Sequence, residues 1–220
     1  MLGPLVVAAV ALRPQRGAAL TRRGVCDSKV FGAGPDARAK RAELAGHVVR
    51  LADSVGVEVI DHQEIDRYTA RGLLNELERR AARSLIAAAP PVERIVADGI
   101  NVFGPLSREF SHLEAFDHAE AVHVAVAAAS IVAKDRRDRL FADIAGRYRA
   151  EFGEVRGGGY VNAATADFLR RYYGRYGCFP QETRRSWAWR FLVELDPPSL
   201  PLFESPGGPG VHTPRQSLPE

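Results

Sequence analysis

Two cysteines are all that this 220-residue chain contains, Cys26 and Cys178, far apart and in no CxxC pair. That excludes a disulfide framework and a zinc-ribbon spacing, and two reduced thiols fit a cytoplasmic protein. Long hydrophobic runs are missing as well. The apolar residues 2–12 are too few to span a bilayer and lack the basic flank and cleavage site of a signal peptide, so no membrane contact is expected and the stretch reads as a strand. Nor does one sign of charge dominate. Lys and Arg total 30 against 27 for Asp and Glu, a net +3, which favours an anionic partner without demanding one. Arginine outnumbers lysine, a bias that suits bidentate phosphate contacts and is equally a product of GC-rich coding.

What is present suits a globular α/β domain over residues 1–196. Hydrophobic residues make up 46% of the chain and charged residues 26%. Residues 197–220, rich in Pro, Gly and Ser, read as a disordered tail. The valine-rich run 5–12 suits a strand covered on both faces and ends at Arg13-Pro14. Apolar positions Ala39, Leu44, Val48, Leu51 and Val55 recur at helical spacing over residues 37–55, with Pro35-Asp36 as the start. Residues 57–60 form a β-branched strand. Residues 61–89 read as one long amphipathic helix with Ile65, Leu73, Leu77, Ala81 and Leu85 on its buried face, stopped by Pro90-Pro91. Residues 94–99 are a short strand ending on Asp98, followed by a loop of roughly 20 residues. Residues 121–148 form an alanine-rich helix, buried in its first half and exposed in its second. Gly157-Gly158-Gly159 marks a sharp turn before a helix over residues 163–176.

Two carboxylates stand out by position. Asp98 sits at the carboxyl end of a strand, where sites form in open α/β sheets, and Glu120 lies just before the alanine-rich helix. An Asp after a strand also forms turns, and an acidic helix start also satisfies the helix dipole, so either alone reads more readily as structural. Together they suggest metal-assisted phosphodiester chemistry, which needs carboxylates converging on ions about 4 Å apart. Asp27, Glu114 and Asp117 are weaker candidates.

Five segments in order change the weight of these residues: Gly24 to Lys29; Glu64-Ile65-Asp66-Arg67 with Leu74-Asn75-Glu76-Leu77-Glu78; Val96-Ala97-Asp98-Gly99; Ala119-Glu120-Ala121 with Ala127 to Lys134; and Gly157-Gly158-Gly159-Tyr160 with Arg184-Arg185-Ser186-Trp187. Over residues 2–187 the chain resembles the type 2 ribonucleases H, ribonucleases HII and HIII. The Glu-Ile-Asp helix and the Arg-Ser-Trp segment look like ribonuclease HII. The segment from Ala119 to Val126 is closer to ribonuclease HIII, in which the fourth metal-binding carboxylate is a glutamate.

The resemblance implies a ribonuclease H-like mixed sheet flanked by helices. It also implies an endonuclease that cuts the RNA strand of RNA/DNA hybrids with Mg²⁺ or Mn²⁺ held by four carboxylates. Asp98 matches the third and Glu120 the fourth. The first two belong to an Asp-Glu pair in a glycine-containing motif, and this sequence begins at Met1 where that motif should end. The expectation is therefore a chain shortened at its N-terminus, lacking its first central strand and weakly active or inactive as it stands, with the natural start upstream. The alternative is a noncatalytic homologue that binds hybrids. Tyr160 matches a tyrosine that packs on the sugar near the cut, and Lys29, Ser130, Lys134, Arg184 and Arg185 are candidate phosphate contacts. The implied partner is an RNA/DNA hybrid or a ribonucleotide-containing duplex, met by a cytoplasmic monomer.

Overall fold

The valine-rich run forms β1 (Leu5–Ala11), which pairs antiparallel with β2 (Ser54–Ile60), setting Leu5 opposite Ile60 and Ala11 opposite Ser54. The structure is a computed structural model that describes residues 1–32, 34–186 and 190–195, without the side chains of Ser28, Lys29 and Arg190. Pleating sends alternate residues of β1 to opposite faces. Ala8 and Val10 meet a core of Leu44, Val48, Ala127, Ala128 and Ile131, whereas Leu5 and Val7 meet Ile60, Ile65 and Leu77.

After β1 the chain does more than stop at Arg13-Pro14. Proline fits the first turn of a helix, where its missing N–H is not needed, and it opens α1 (Pro14–Arg22). The helix expected over residues 37–55 is α2 (Pro35–Leu51), which ends sooner because Val55 belongs to β2. Asp53 fixes that exit by accepting hydrogen bonds from the backbone N and the Nε of Arg13, both at 2.9 Å.

The single helix expected over residues 61–89 is two: α3 (His62–Thr69), capped by Asp61 accepting from the Glu64 N–H at 2.8 Å, and α4 (Leu74–Ala88). Gly72, at φ 69°, takes the left-handed conformation that terminates helices. Leu73, assigned to the buried face, lies exposed in the break, while Ile65, Leu77, Ala81 and Leu85 are buried as expected.

β3 (Ile95–Asp98) ends on its carboxylate as expected. The long loop after it is instead structured. It holds α5 (Ile100–Phe103), a 3₁₀ turn (Gly104–Arg108), β4 (Leu113–Phe116) and a second 3₁₀ turn (Ala119–Ala121). β4 runs parallel to β3 with Asp98 opposite Phe116; a strand of four residues is too short to announce itself by alternation.

The central helix is α6 (Val124–Phe152). Its small residues allow the expected close approach to β1, with Ala127 and Ala128 fully buried. Its second half is exposed, as expected, on one face only. Phe141, Ile144 and Phe152 are buried with Phe168 and Leu169 of α7 (Ala163–Tyr176), joined by Leu192 of α8 (Arg190–Leu195). Trp187 and the expected tail, residues 197–220, lie outside the described residues.

The strands form two two-stranded halves, β1 with β2 and β3 with β4. Among the described residues, β1 and β3 have no second strand partner on the sides that face each other. Between them lies a cavity of about 360 Å³, walled by β1, β3, Leu85 and Ile86 of α4, and Ala125, Ala129 and Ala133 of α6. The chain start is laced in nearby. The Leu2 N–H donates to the Gly159 carbonyl at 2.8 Å, the Gly3 N–H to that of Glu182 at 2.9 Å, and Leu2 bridges Thr183.

Candidate functional site

Asp98 and Glu120 both line this cavity, and a hydrogen bond explains why they come together. Asp98 Oδ1 accepts from the Ala119 N–H at 2.8 Å, so the end of β3 holds the 3₁₀ turn that carries Glu120. The turn begins at His118, which has φ 63° and is the one non-glycine residue in a left-handed conformation among the described residues. Such backbone is costly and persists where its surroundings enforce it. Glu120 is only 5% exposed, so its carboxylate lies inside the site rather than on the surface of a helix start. The weaker candidates have other partners: Asp117 accepts from the Ile100 N–H, and Glu114 pairs with Arg94 on the surface.

Ser130, half-buried on α6, also lines the cavity. Lys134 follows one turn later and Arg137 one turn after that, a spacing that keeps all three on one helix face. Tyr160 stands at the far end of this row, with the Arg137 Cζ 3.9 Å from its ring centre. Of the three glycines before it, Gly157 and Gly159 are demanded by space. All three have positive φ, and a Cβ on Gly159 would come within 2.3 Å of the Leu2 carbonyl oxygen.

Arg184 and Arg185 are adjacent in sequence and opposite in environment. Arg185 is exposed, whereas Arg184 is 3% exposed, and its Nε donates to the Gly3 carbonyl at 2.8 Å. Burial, with the nearby Arg137 charge, pulls the Arg184 guanidinium down to about 10. Asp66, on the Glu-Ile-Asp helix, orders this segment by accepting from the N–H groups of Arg185 at 2.8 Å and Ser186 at 3.0 Å. The side chain of Lys29 lies outside the described residues. Two participants were not singled out in the sequence. Glu78 of α4 lines the cavity, and burial raises its carboxyl above the ordinary value. Arg137 sits in an Arg-Arg-Asp-Arg run that reads as a solvated face, and its spacing from Ser130 was the available signal.

Asp98 and Glu120 are hard oxygen donors, the chemistry that Mg²⁺ and Mn²⁺ prefer. Two carboxylates are nonetheless too few to clamp two divalent ions. Among the described residues no group of three or more His, Cys, Asp or Glu is placed to share a metal ion.

The α/β layering, with Asp98 and Glu120 lining a cleft between two half-sheets, is an architecture shared with solved ribonucleases H. Among solved structures, the ribonuclease H2 from Pyrococcus horikoshii OT3 is similar, with a TM-score of 0.70 and 25% identity, covering 88% of this chain and 90% of that one. A structure of Bst-RNase HIII in complex with Mn²⁺ is similar with a TM-score of 0.60 and 26% identity, covering 80% of this chain and 58% of that one. Ribonuclease HII of Cenarchaeum symbiosum is 32% identical over 200 residues, covering 88% of this chain and 92% of the relative. The family model for ribonuclease HII matches residues 1–189, and the chain belongs to that family. The HIII-like look of the segment around Glu120 therefore sits within a chain that the ribonuclease HII family model matches.

Proposed function

We propose that this protein is an endonuclease that cuts the RNA strand of RNA/DNA hybrids, or of duplexes containing ribonucleotides, with Mg²⁺ or Mn²⁺. The bond from Ala119 N–H to Asp98 Oδ1 carries the reading, because it brings the buried Glu120 to the same cavity as Asp98. Those two carboxylates supply ion ligands. Ser130, Lys134 and Arg185 position the phosphate backbone, Arg184 braces the segment that presents Arg185, and Tyr160 packs against a sugar. The ions, when bound, supply an activated water and stabilise the leaving oxygen.

The reading includes an extended strand in the cavity between β1 and β3, bearing the family's Asp-Glu pair. Support comes from the unpaired facing edges of β1 and β3, the apolar walls, and Asp98 and Glu120 among the lining residues. The protein is taken as a cytoplasmic monomer, which size-exclusion chromatography tests; among the described residues no helix is long and apolar enough to cross a membrane.

The test is cleavage of an end-labelled RNA/DNA hybrid in Mn²⁺ by this chain and by a form carrying the additional strand. The strand-bearing form should cleave. Asp98→Asn and Glu120→Gln in it should each lower turnover by at least about 100-fold, the upper end of what even outer-shell ligand changes cost. Binding without cleavage by both forms would overturn the catalytic reading.

A further inference from the structure

Arg137 is buried to 8% exposure at the base of the Gly157–Tyr160 turn, yet nothing in the family resemblance gives it a task. Three observations concern its guanidinium. Nη1 donates to the Gly158 carbonyl at 2.7 Å. The guanidinium carbon lies 3.9 Å from the centre of the Tyr160 ring. Nη2 is buried and has no hydrogen-bond partner among the described residues.

A buried arginine is expensive to keep, since it stays charged and any donor left without a partner, as Nη2 is here, adds to the cost. Burial lowers its proton affinity, and Asp138, the carboxylate whose charge opposes that effect, is engaged by Arg41 of α2 at 2.7 Å. The arrangement is therefore poor as a device for stability alone. It does control one side chain closely. The turn beneath Tyr160 consists of three glycines in left-handed conformations, so its backbone has the least intrinsic preference for one shape. Arg137 ties that backbone at Gly158 and covers the Tyr160 ring, while the tyrosine stays 42% exposed.

We propose that Arg137 is a positioning residue for Tyr160: it locks the glycine turn and backs the ring, so that the exposed surface of Tyr160 is held ready for the sugar of the bound strand. The inference rests on the reading that Tyr160 meets that sugar. Lysine does not substitute, because an ammonium neither stacks as a plane nor spans the ring and the Gly158 carbonyl together.

The experiment is a double-mutant cycle on Arg137→Ala and Tyr160→Ala, with Arg137→Lys as the conservative control. Affinity for a fluorescently labelled RNA/DNA hybrid is read by anisotropy, and amide hydrogen exchange at Gly158 and Tyr160 is read on the free protein. Arg137→Ala and Arg137→Lys should each speed exchange in the turn and weaken binding by roughly tenfold, the scale of a desolvated cation–π contact. Neither should weaken binding further once Tyr160 is alanine. Unchanged exchange in Arg137→Ala overturns the proposal whatever the hybrid does. Additive losses of binding overturn it and leave the sugar contact of Tyr160 standing. Tyr160→Ala binding as well as the parent overturns the sugar contact and the proposal together.

Discussion

Arg41 of α2 and Asp138 of α6 meet at 2.7 Å with both side chains largely buried, 97 residues apart in sequence. Removing one partner strands the other charge in a poor dielectric. Asp138→Ala should therefore destabilise the protein by about 3 kcal/mol in urea titration, whereas exposed pairs such as Arg94–Glu114 should change it by less than about 1 kcal/mol. Glu78 makes the converse case. Burial raises its carboxyl above the ordinary 4.5, so the folded state favours the protonated form. Its favourable contribution is full below that ordinary value and is lost as pH rises through the raised one. Glu78→Gln should thus raise the thermal midpoint at pH 7, and the gain should shrink toward pH 4; a gain that persists there would show a cause other than ionisation. Asp98 could be singled out because a carboxylate ending an apolar strand lies where sites form in open α/β sheets. Arg137 was not, because burial of one arginine among four charged neighbours depends on the turn that reaches it from residues 157–160.

At the scale of elements, the helix breaks and turns show what local chemistry resolves. The periodic apolar face over residues 61–89 persists through the break between α3 and α4, and so it read as one helix. Gly72 interrupts the helix without disturbing that pattern. β4 was illegible for the opposite reason, since four residues carry no period and the pairing with β3 defines it. The glycine turn at residues 157–159 was legible as a turn, but not as a contact point for the chain start. A Cβ on Gly159 would overlap the Leu2 carbonyl, and its φ of 71° disfavours any side chain. Gly159→Ala should lower stability by about 1–3 kcal/mol from backbone strain alone, with more from the overlap, measured by thermal or urea unfolding. Asp66 links α3 to the segment after Thr183 through two backbone N–H groups. Asp66→Ala should loosen residues 185–186, seen as faster amide exchange there, and weaken hybrid binding without altering Asp98 or Glu120.

On the scale of the whole molecule, the two half-sheets and the cavity between them dominate. Among the described residues β1 and β3 each lack a second strand partner and turn apolar side chains to a space of about 360 Å³, an arrangement that proteins ordinarily avoid by covering or pairing the edge. This chain should therefore bind an environment-sensitive apolar dye, and a form whose additional strand fills the cavity should lose that fluorescence and melt at higher temperature. Equal dye binding by the two forms would mean that the strand goes elsewhere.

The sequence alone determined the family, through five segments in order, and most helices and strands, through periods that their own residues carry. It also singled out Asp98 and Glu120, by the position of one at a strand end and of the other before a helix. Only the tertiary structure decided that the Asp98 carboxylate anchors the turn holding Glu120, that Arg184 is buried while Arg185 is exposed, and that Arg137 backs Tyr160. These relations join residues that are distant in sequence or alike in composition. Packing and backbone hydrogen bonds between elements create them, and no period or spacing within one element encodes them.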